Sequence, residues 1–178
     1  MKKNIYVLDS DTLITSSRDF YSNVFCPGFW DFLTEANTKG ELVSIDKVKR
    51  EIEKGEYDDY LKEWARLIAP NEFFRSTDKK EIIDCYKMIV NWANAQSQYQ
   101  QNAKAELMSD KADAWLIAYA LANLRNENMV VCTFEKYHAD TKKRIPIPNV
   151  CKAFNVEYRN IYYVLHNIRP QFILGPKE

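Results

Sequence analysis

The stretch NIYVLDSDTLI, residues 4–14, decides the fold. Ile5 to Leu8 is an apolar run of strand-forming residues that stops abruptly at Asp9, Ser10 and Asp11. A run without polar alternation suits a strand covered on both faces, as in a parallel sheet. Two more runs of this kind occur, Leu42 to Ile45 and Met129 to Cys132, the latter ending in Thr133, Phe134 and Glu135.

Helical patterns separate these runs. Phe29 to Ala36 carries apolar residues at helical spacing and stops near Gly40, a suitable C-terminal cap. A helix through Lys54 follows the second run and breaks at Gly55. Tyr57, Leu61, Trp64, Ala65 and Ile68 share a helical face that Pro70 closes. Thr77 is placed to cap a helix with Ile82, Ile83, Tyr86, Ile89, Val90 and Ala93 on one stripe. The glutamine-rich passage NAQSQYQQNAKAE has no core-facing stripe and reads as a spacer or a lid. Ser109 is placed to cap a helix from Asp110 to about Leu124, with Ala114, Ile117, Ala118 and Leu121 inward. Beyond the third strand-like run, RIPIPNV, VEY and IYYVLHNI suggest a short strand, a turn and a terminal helix, and Pro146 and Pro148 exclude a regular central strand there. Alternating strands and helices predict an α/β fold: a three-layer α/β/α sandwich around a mainly parallel sheet, residues 1–178 forming one domain.

The 178 residues fill one core and are too few for two ordinary domains. Twenty-five Lys and Arg balance twenty-five Asp and Glu, which argues against a protein that coats nucleic acid non-specifically. A local basic rim is present in Lys136, Lys142, Lys143 and Arg144, and an acidic stretch in Glu56, Asp58, Asp59 and Glu63. Cys26, Cys85, Cys132 and Cys151 lack CxxC spacing, so disulfides and a zinc site are not expected. The basic start has only four apolar residues before Asp9, which does not suit a secretory signal, and no window supports a membrane span. The expected compartment is the cytoplasm.

In a parallel α/β sheet ligands sit beyond the carboxyl ends of the strands. Asp9 and Asp11 follow the first strand at once, and Glu135 comes three residues after the strand ending at Cys132. Glu51 lies on the helix after the second strand, and Asp113 opens the ADAWLIAYA helix three residues after Asp110. Carboxylates gathered without a cation repel one another. Hard divalent ions with oxygen ligands resolve the conflict, so the cluster predicts Mg²⁺ or Mn²⁺ rather than Zn²⁺, and such a site suits attack of water on a phosphodiester. His138 and His166 have no companions at metal spacing, and no GxSxG, GxGxxG or P-loop run is present.

YVLDSDTLI, the glutamate of KVKREI, the DKADAWLIAYA helix and the VVCTFE strand end resemble the four acidic motifs of PIN-domain nucleases. RIPIPNVCKAF resembles the tail of the PIN-like DUF4411 family. The resemblance, to a superfamily that includes VapC-like toxins, implies metal-dependent ribonuclease chemistry, RNA as substrate, and service as the toxin of a toxin–antitoxin pair. It implies Asp9, Glu51, Asp113 and Glu135 as catalytic metal ligands, Glu135 departing from the usual aspartate or asparagine by its longer side chain. Thr133 is implied as a supporting hydroxyl, with Asp11 and Asp110 as auxiliaries, and Lys136, Lys142, Lys143 and Arg144 as RNA contacts. An antitoxin protein and a second copy of the chain are the partners it adds.

Two other readings compete. VLDSDTL also resembles the start of haloacid-dehalogenase-like phosphatases, with Asp9 as nucleophile and Asp11 as acid/base, but Thr12 stands where that pattern has glycine. The second is a catalytically weak PIN-like module that binds RNA or protein through aromatic residues without turnover.

Overall fold

The run at residues 4–8 is the central strand of the sheet. The computed structural model describes residues 3–56, 59–109, 111–172 and 174–175. Five strands, β1 (Asn4–Leu8), β2 (Leu42–Ile45), β3 (Phe74–Arg75), β4 (Asn128–Cys132) and β5 (Glu157–Arg159), form one all-parallel sheet in the order β3-β2-β1-β4-β5. Helices flank it: α1 (Ser10–Thr15), α2 (Pro27–Thr38), α3 (Asp46–Lys54), α4 (Asp59–Glu63), α5 (Lys80–Ala95), α6 (Gln101–Leu107), α7 (Ala112–Asn123), α8 (Ile147–Ala153) and α9 (Ile161–Ile168). The architecture is the expected α/β sandwich, with a wholly parallel sheet.

Burial explains the strand sequences. Every residue of β2 is buried, as are Tyr6, Val7 and Leu8 of β1 and Met129 to Cys132 of β4. Helices cover both sheet faces, so alternation has nothing to encode. Two polar side chains at these depths are paired: the Ser44 hydroxyl donates to the Leu8 carbonyl at 2.7 Å, and the Asn37 amide donates to that of Leu42 at 2.8 Å. Beside them Trp30, Trp64 and Phe73 stack edge to face, with centroids 5.1 Å and 5.0 Å apart. Replacing Trp64 by alanine would cost about 3–5 kcal/mol.

Several element ends differ from the sequence reading for identifiable reasons. The helix through Leu61 widens into a π-turn over Trp64–Ile68, closed by the Ala69 N–H donating to the Trp64 carbonyl at 2.7 Å. The wider turn buries Trp64 and Ala65 and leaves Ile68 exposed; Tyr57 lies outside the described residues. Thr77 does not cap α5, because its hydroxyl donates to Asp46 on α3 at 2.8 Å. Ser109 likewise turns back, donating to the Glu106 carbonyl, and α7 begins later, at Ala112. The glutamine-rich passage has a core-facing stripe after all: residues 101–107 fold as α6 and bury Ala103, Lys104 and Leu107. The second half of RIPIPNV opens α8, at Ile147, instead of a strand, with Pro148 in the first turn, where its missing N–H costs nothing. No helix among the described residues is long and apolar enough to cross a membrane.

Candidate active site

The strand order creates a topological switch point. From central β1 the next strand, β2, lies on one side and β4 on the other, so a crevice opens beyond the carboxyl ends of β1 and β4. Leu8 pairs with Cys132 in register, which brings Asp9 beside Thr133.

Asp9 is only 3% exposed. Its backbone N–H donates to the Cys132 carbonyl at 3.1 Å, and its Oδ1 accepts the Thr12 N–H at 2.6 Å, capping α1. The Thr12 hydroxyl donates to the same Cys132 carbonyl at 3.1 Å. Burial pushes the Asp9 carboxyl up to about 7, against the pull of hydrogen bonds from Thr12 and Thr133. The Thr133 oxygen also accepts the Glu135 N–H at 3.1 Å, so this hydroxyl links Asp9 to the turn that carries Glu135. Asp11 lies on the solvent side, accepting from the Thr15 hydroxyl at 3.2 Å.

Glu51 reaches from α3 to the start of α7, where its Oε1 accepts the Ala112 N–H at 2.8 Å. That bond sets it next to Asp113 in the first turn of α7. Burial, then repulsion from Glu51, raises the Asp113 carboxyl to about 6, with Lys111 and Arg144 opposing. Asp110 lies outside the described residues.

Glu135 is held at both oxygens. Oε2 accepts the Ile147 N–H at 2.7 Å at the start of α8, and Oε1 pairs with the Arg144 guanidinium. Asp113, Glu135, Lys111, Arg144 and Glu106 line one cavity of about 270 Å³. The crevice thus joins Asp9 to Glu135 through Thr133, and Asp113 to both glutamates. Among the described residues no three acidic, histidine or cysteine side chains stand close enough to form a metal cage.

Of the basic residues, Arg144 is turned to Glu135, and Lys136 borders a neighbouring aromatic cleft. Lys142 and Lys143 are exposed, and the Lys142 carbonyl accepts the Gln100 N–H. Sequence reasoning missed Thr12, whose spacing after Asp9 is an ordinary capping signature, as well as Lys111 and Glu106. It also missed Asn149, whose side chain donates to the Tyr99 hydroxyl at 3.0 Å and to the His138 carbonyl at 2.8 Å. Asn149 holds the segment between Glu135 and α8 in place, and nothing local in the sequence signals that.

Comparison with family models gives a match, described as Domain of unknown function (DUF4411), over residues 6–172. The chain belongs to the DUF4411 family. No curated protein and no solved structure matches it. The DUF4411 match covers β1 from Tyr6 and all of β2 to β5, and contains Asp9, Glu51, Asp113 and Glu135.

Proposed function

We propose that this DUF4411 chain is a PIN-like, VapC-like endoribonuclease that hydrolyses RNA phosphodiester bonds with Mg²⁺ or Mn²⁺ at the crevice between β1 and β4. The observation that carries the reading is a buried Asp9 after β1 and a half-buried Asp113 at the start of α7, with the carboxyl of the first raised to about 7 and of the second to about 6. Both are disfavoured as anions by their surroundings, and a bound cation relieves that cost.

The donor set fits a hard divalent ion of the kind that takes one or two carboxylates and leaves its other positions to water and phosphate. Asp9 and Asp113 would hold it, with Glu51 and Glu135 beside them. Bound there, the ion would supply charge neutralisation at the scissile phosphate and acidify water. The protein's own contributions are separate. Helix starts at α1, α7 and α8 each meet one of the carboxylates through a backbone N–H, which lowers the cost of gathering negative charge. Thr133 holds Asp9 in register with the Glu135 turn. Arg144, beside Glu135, carries a planar guanidinium of the kind that matches a phosphate. Service as a toxin, with an antitoxin or a second copy covering the crevice, follows from the family resemblance alone.

A binding module without turnover is favoured by one observation: both Glu135 oxygens already have protein partners. Incubating the protein with labelled RNA in Mn²⁺, in Mg²⁺ and in EDTA separates the two readings. The nuclease reading expects internal cleavage in metal, abolished by EDTA and restored by excess Mn²⁺. RNA bound but uncut in every condition would favour the binding module.

A further inference from the structure

Next to the acidic cavity, beyond the carboxyl ends of β4 and β5, lies a second cleft of about 470 Å³. Its walls carry Phe134, Tyr137, Tyr158 and Tyr163 together with Lys136 and Arg159. Thr133 and Glu135 line it too, and Glu135 also lines the cavity of Asp113, so the two depressions share a wall. The Thr133 N–H donates to the Arg159 carbonyl at 2.9 Å, which fixes the end of β5 against the site.

Four large aromatics among the described residues are exposed, Phe20, Phe25, Tyr137 and Tyr162, and three of them stand at this cleft or its rim, while Phe134, Tyr158 and Tyr163 are half-buried. Trp30, Trp64, Phe29 and Phe73 are at most 1% exposed, whereas Tyr137 is 40% exposed. At the rim Phe20, Phe134 and Tyr162 form a three-ring cluster with centroids 5.7–5.9 Å apart, and Phe20 and Tyr162 are 41% and 45% exposed. Cations lie over these rings: Arg159 sits 5.0 Å from the Tyr163 centroid and Lys152 sits 4.2 Å from that of Tyr137. Exposed ring faces interleaved with Lys and Arg are the chemistry that binds unpaired nucleobases, the rings stacking on bases and the cations meeting phosphates. A duplex hides its base faces and cannot use such a wall. Glu135, which lines the cleft, is paired with Arg144, and Glu157, next to Tyr158 on β5, is paired with Arg159, so neither presents an uncompensated negative charge to a phosphate.

We propose that this cleft is a base-stacking subsite that seats an unpaired nucleotide of single-stranded RNA beside the acidic centre. The proposal rests on the ribonuclease reading for its choice of RNA, and it assigns that enzyme a single-stranded substrate. The measurement is anisotropy of a fluorescein-labelled twelve-nucleotide oligoadenylate titrated with the full chain in EDTA, so that binding is read without cleavage. A blunt RNA duplex of equal length serves as the comparison. Wild type should prefer the single strand, and Tyr137→Ala and Tyr162→Ala should each weaken binding by about 5- to 100-fold at unchanged thermal unfolding. Tyr137→Phe and Tyr162→Phe should bind as wild type, because stacking uses the ring face. Equal binding of duplex and single strand, no binding of the oligonucleotide, or unaltered affinity in the folded alanine variants would overturn the subsite; a cleft built for a protein partner would give the second result. Cleavage in Mn²⁺ that is lost in Asp9→Asn yet untouched by the ring variants would remove the subsite and leave the ribonuclease standing. Tight single-strand binding without cleavage in any metal would do the reverse.

Discussion

Asp9 carries two demands that conflict in the absence of a cation. It must cap α1, which needs an acceptor, and it sits where an anion is poorly solvated. The folded chain holds the Asp9 proton to about pH 7, whereas the ordinary carboxyl releases it near 3.8. Between those values the folded state binds more protons than the unfolded one, so this contribution to stability is full below about pH 4 and is lost as pH rises towards 7. Asp113 adds a parallel loss that ends at about 6. Asparagine keeps the cap and carries no charge. In chelator at pH 8, Asp9→Asn should therefore be more stable than wild type by roughly 1–4 kcal/mol, with the difference vanishing near pH 4. Denaturant titrations at the two pH values check this, and a variant less stable than wild type at pH 8 would show that the anion is well supported. Thr133 supports Asp9 and accepts the Glu135 N–H. Thr133→Val should lower cleavage by about 10- to 100-fold, while Thr133→Ser restores it; equal rates in all three proteins would deny the hydroxyl a positioning role.

At the level of elements, the site is built from helix starts. Glu51 accepts at the start of α7, Asp9 at that of α1 and Glu135 at that of α8, a consequence of every strand in a parallel sheet delivering the chain to the same edge. Most of that was legible in the sequence. The abrupt ends of β1 and β4 in acidic residues placed Asp9 and Glu135 at the carboxyl edge, and Gly55 and Gly40 marked helix ends. What escaped depends on partners far along the chain: Thr77 serves Asp46, Asn149 serves Tyr99 and His138, and α6 gains its buried face from tertiary packing. The closing segment is another such case. A Cβ at Gly28 would lie 2.5 Å from Cβ of Phe172, whose ring packs on Tyr21, Phe29 and Phe32. Gly28→Ala should cost about 1–3 kcal/mol by forcing that contact apart. In a Phe172→Gly background, which removes that Cβ, the same change should cost far less, and additive losses in the double-mutant cycle would mean that the contact does not limit the approach of α2.

For the whole molecule, balanced charge constrains how the proposed RNA binding would work. With 25 basic and 25 acidic residues, the ribonuclease proposal assigns the phosphate contacts chiefly to the cations that line the two depressions, Lys111, Lys136, Arg144 and Arg159. Single-strand affinity should therefore fall with salt along a log–log slope no steeper than about −3; a much steeper slope would mean that RNA spreads over a wider surface. The absence of a ready-made metal cage among the described residues places the weight of the account on Asp9 and Asp113 acting together. The measurement that tests it most directly compares wild type with Asp9→Asn on one single-stranded RNA in Mn²⁺ and in EDTA, both proteins being verified as folded. The account predicts internal cleavage by wild type in Mn²⁺ alone and none by the variant. Cleavage that persists in folded Asp9→Asn, or that is indifferent to EDTA, would contradict it.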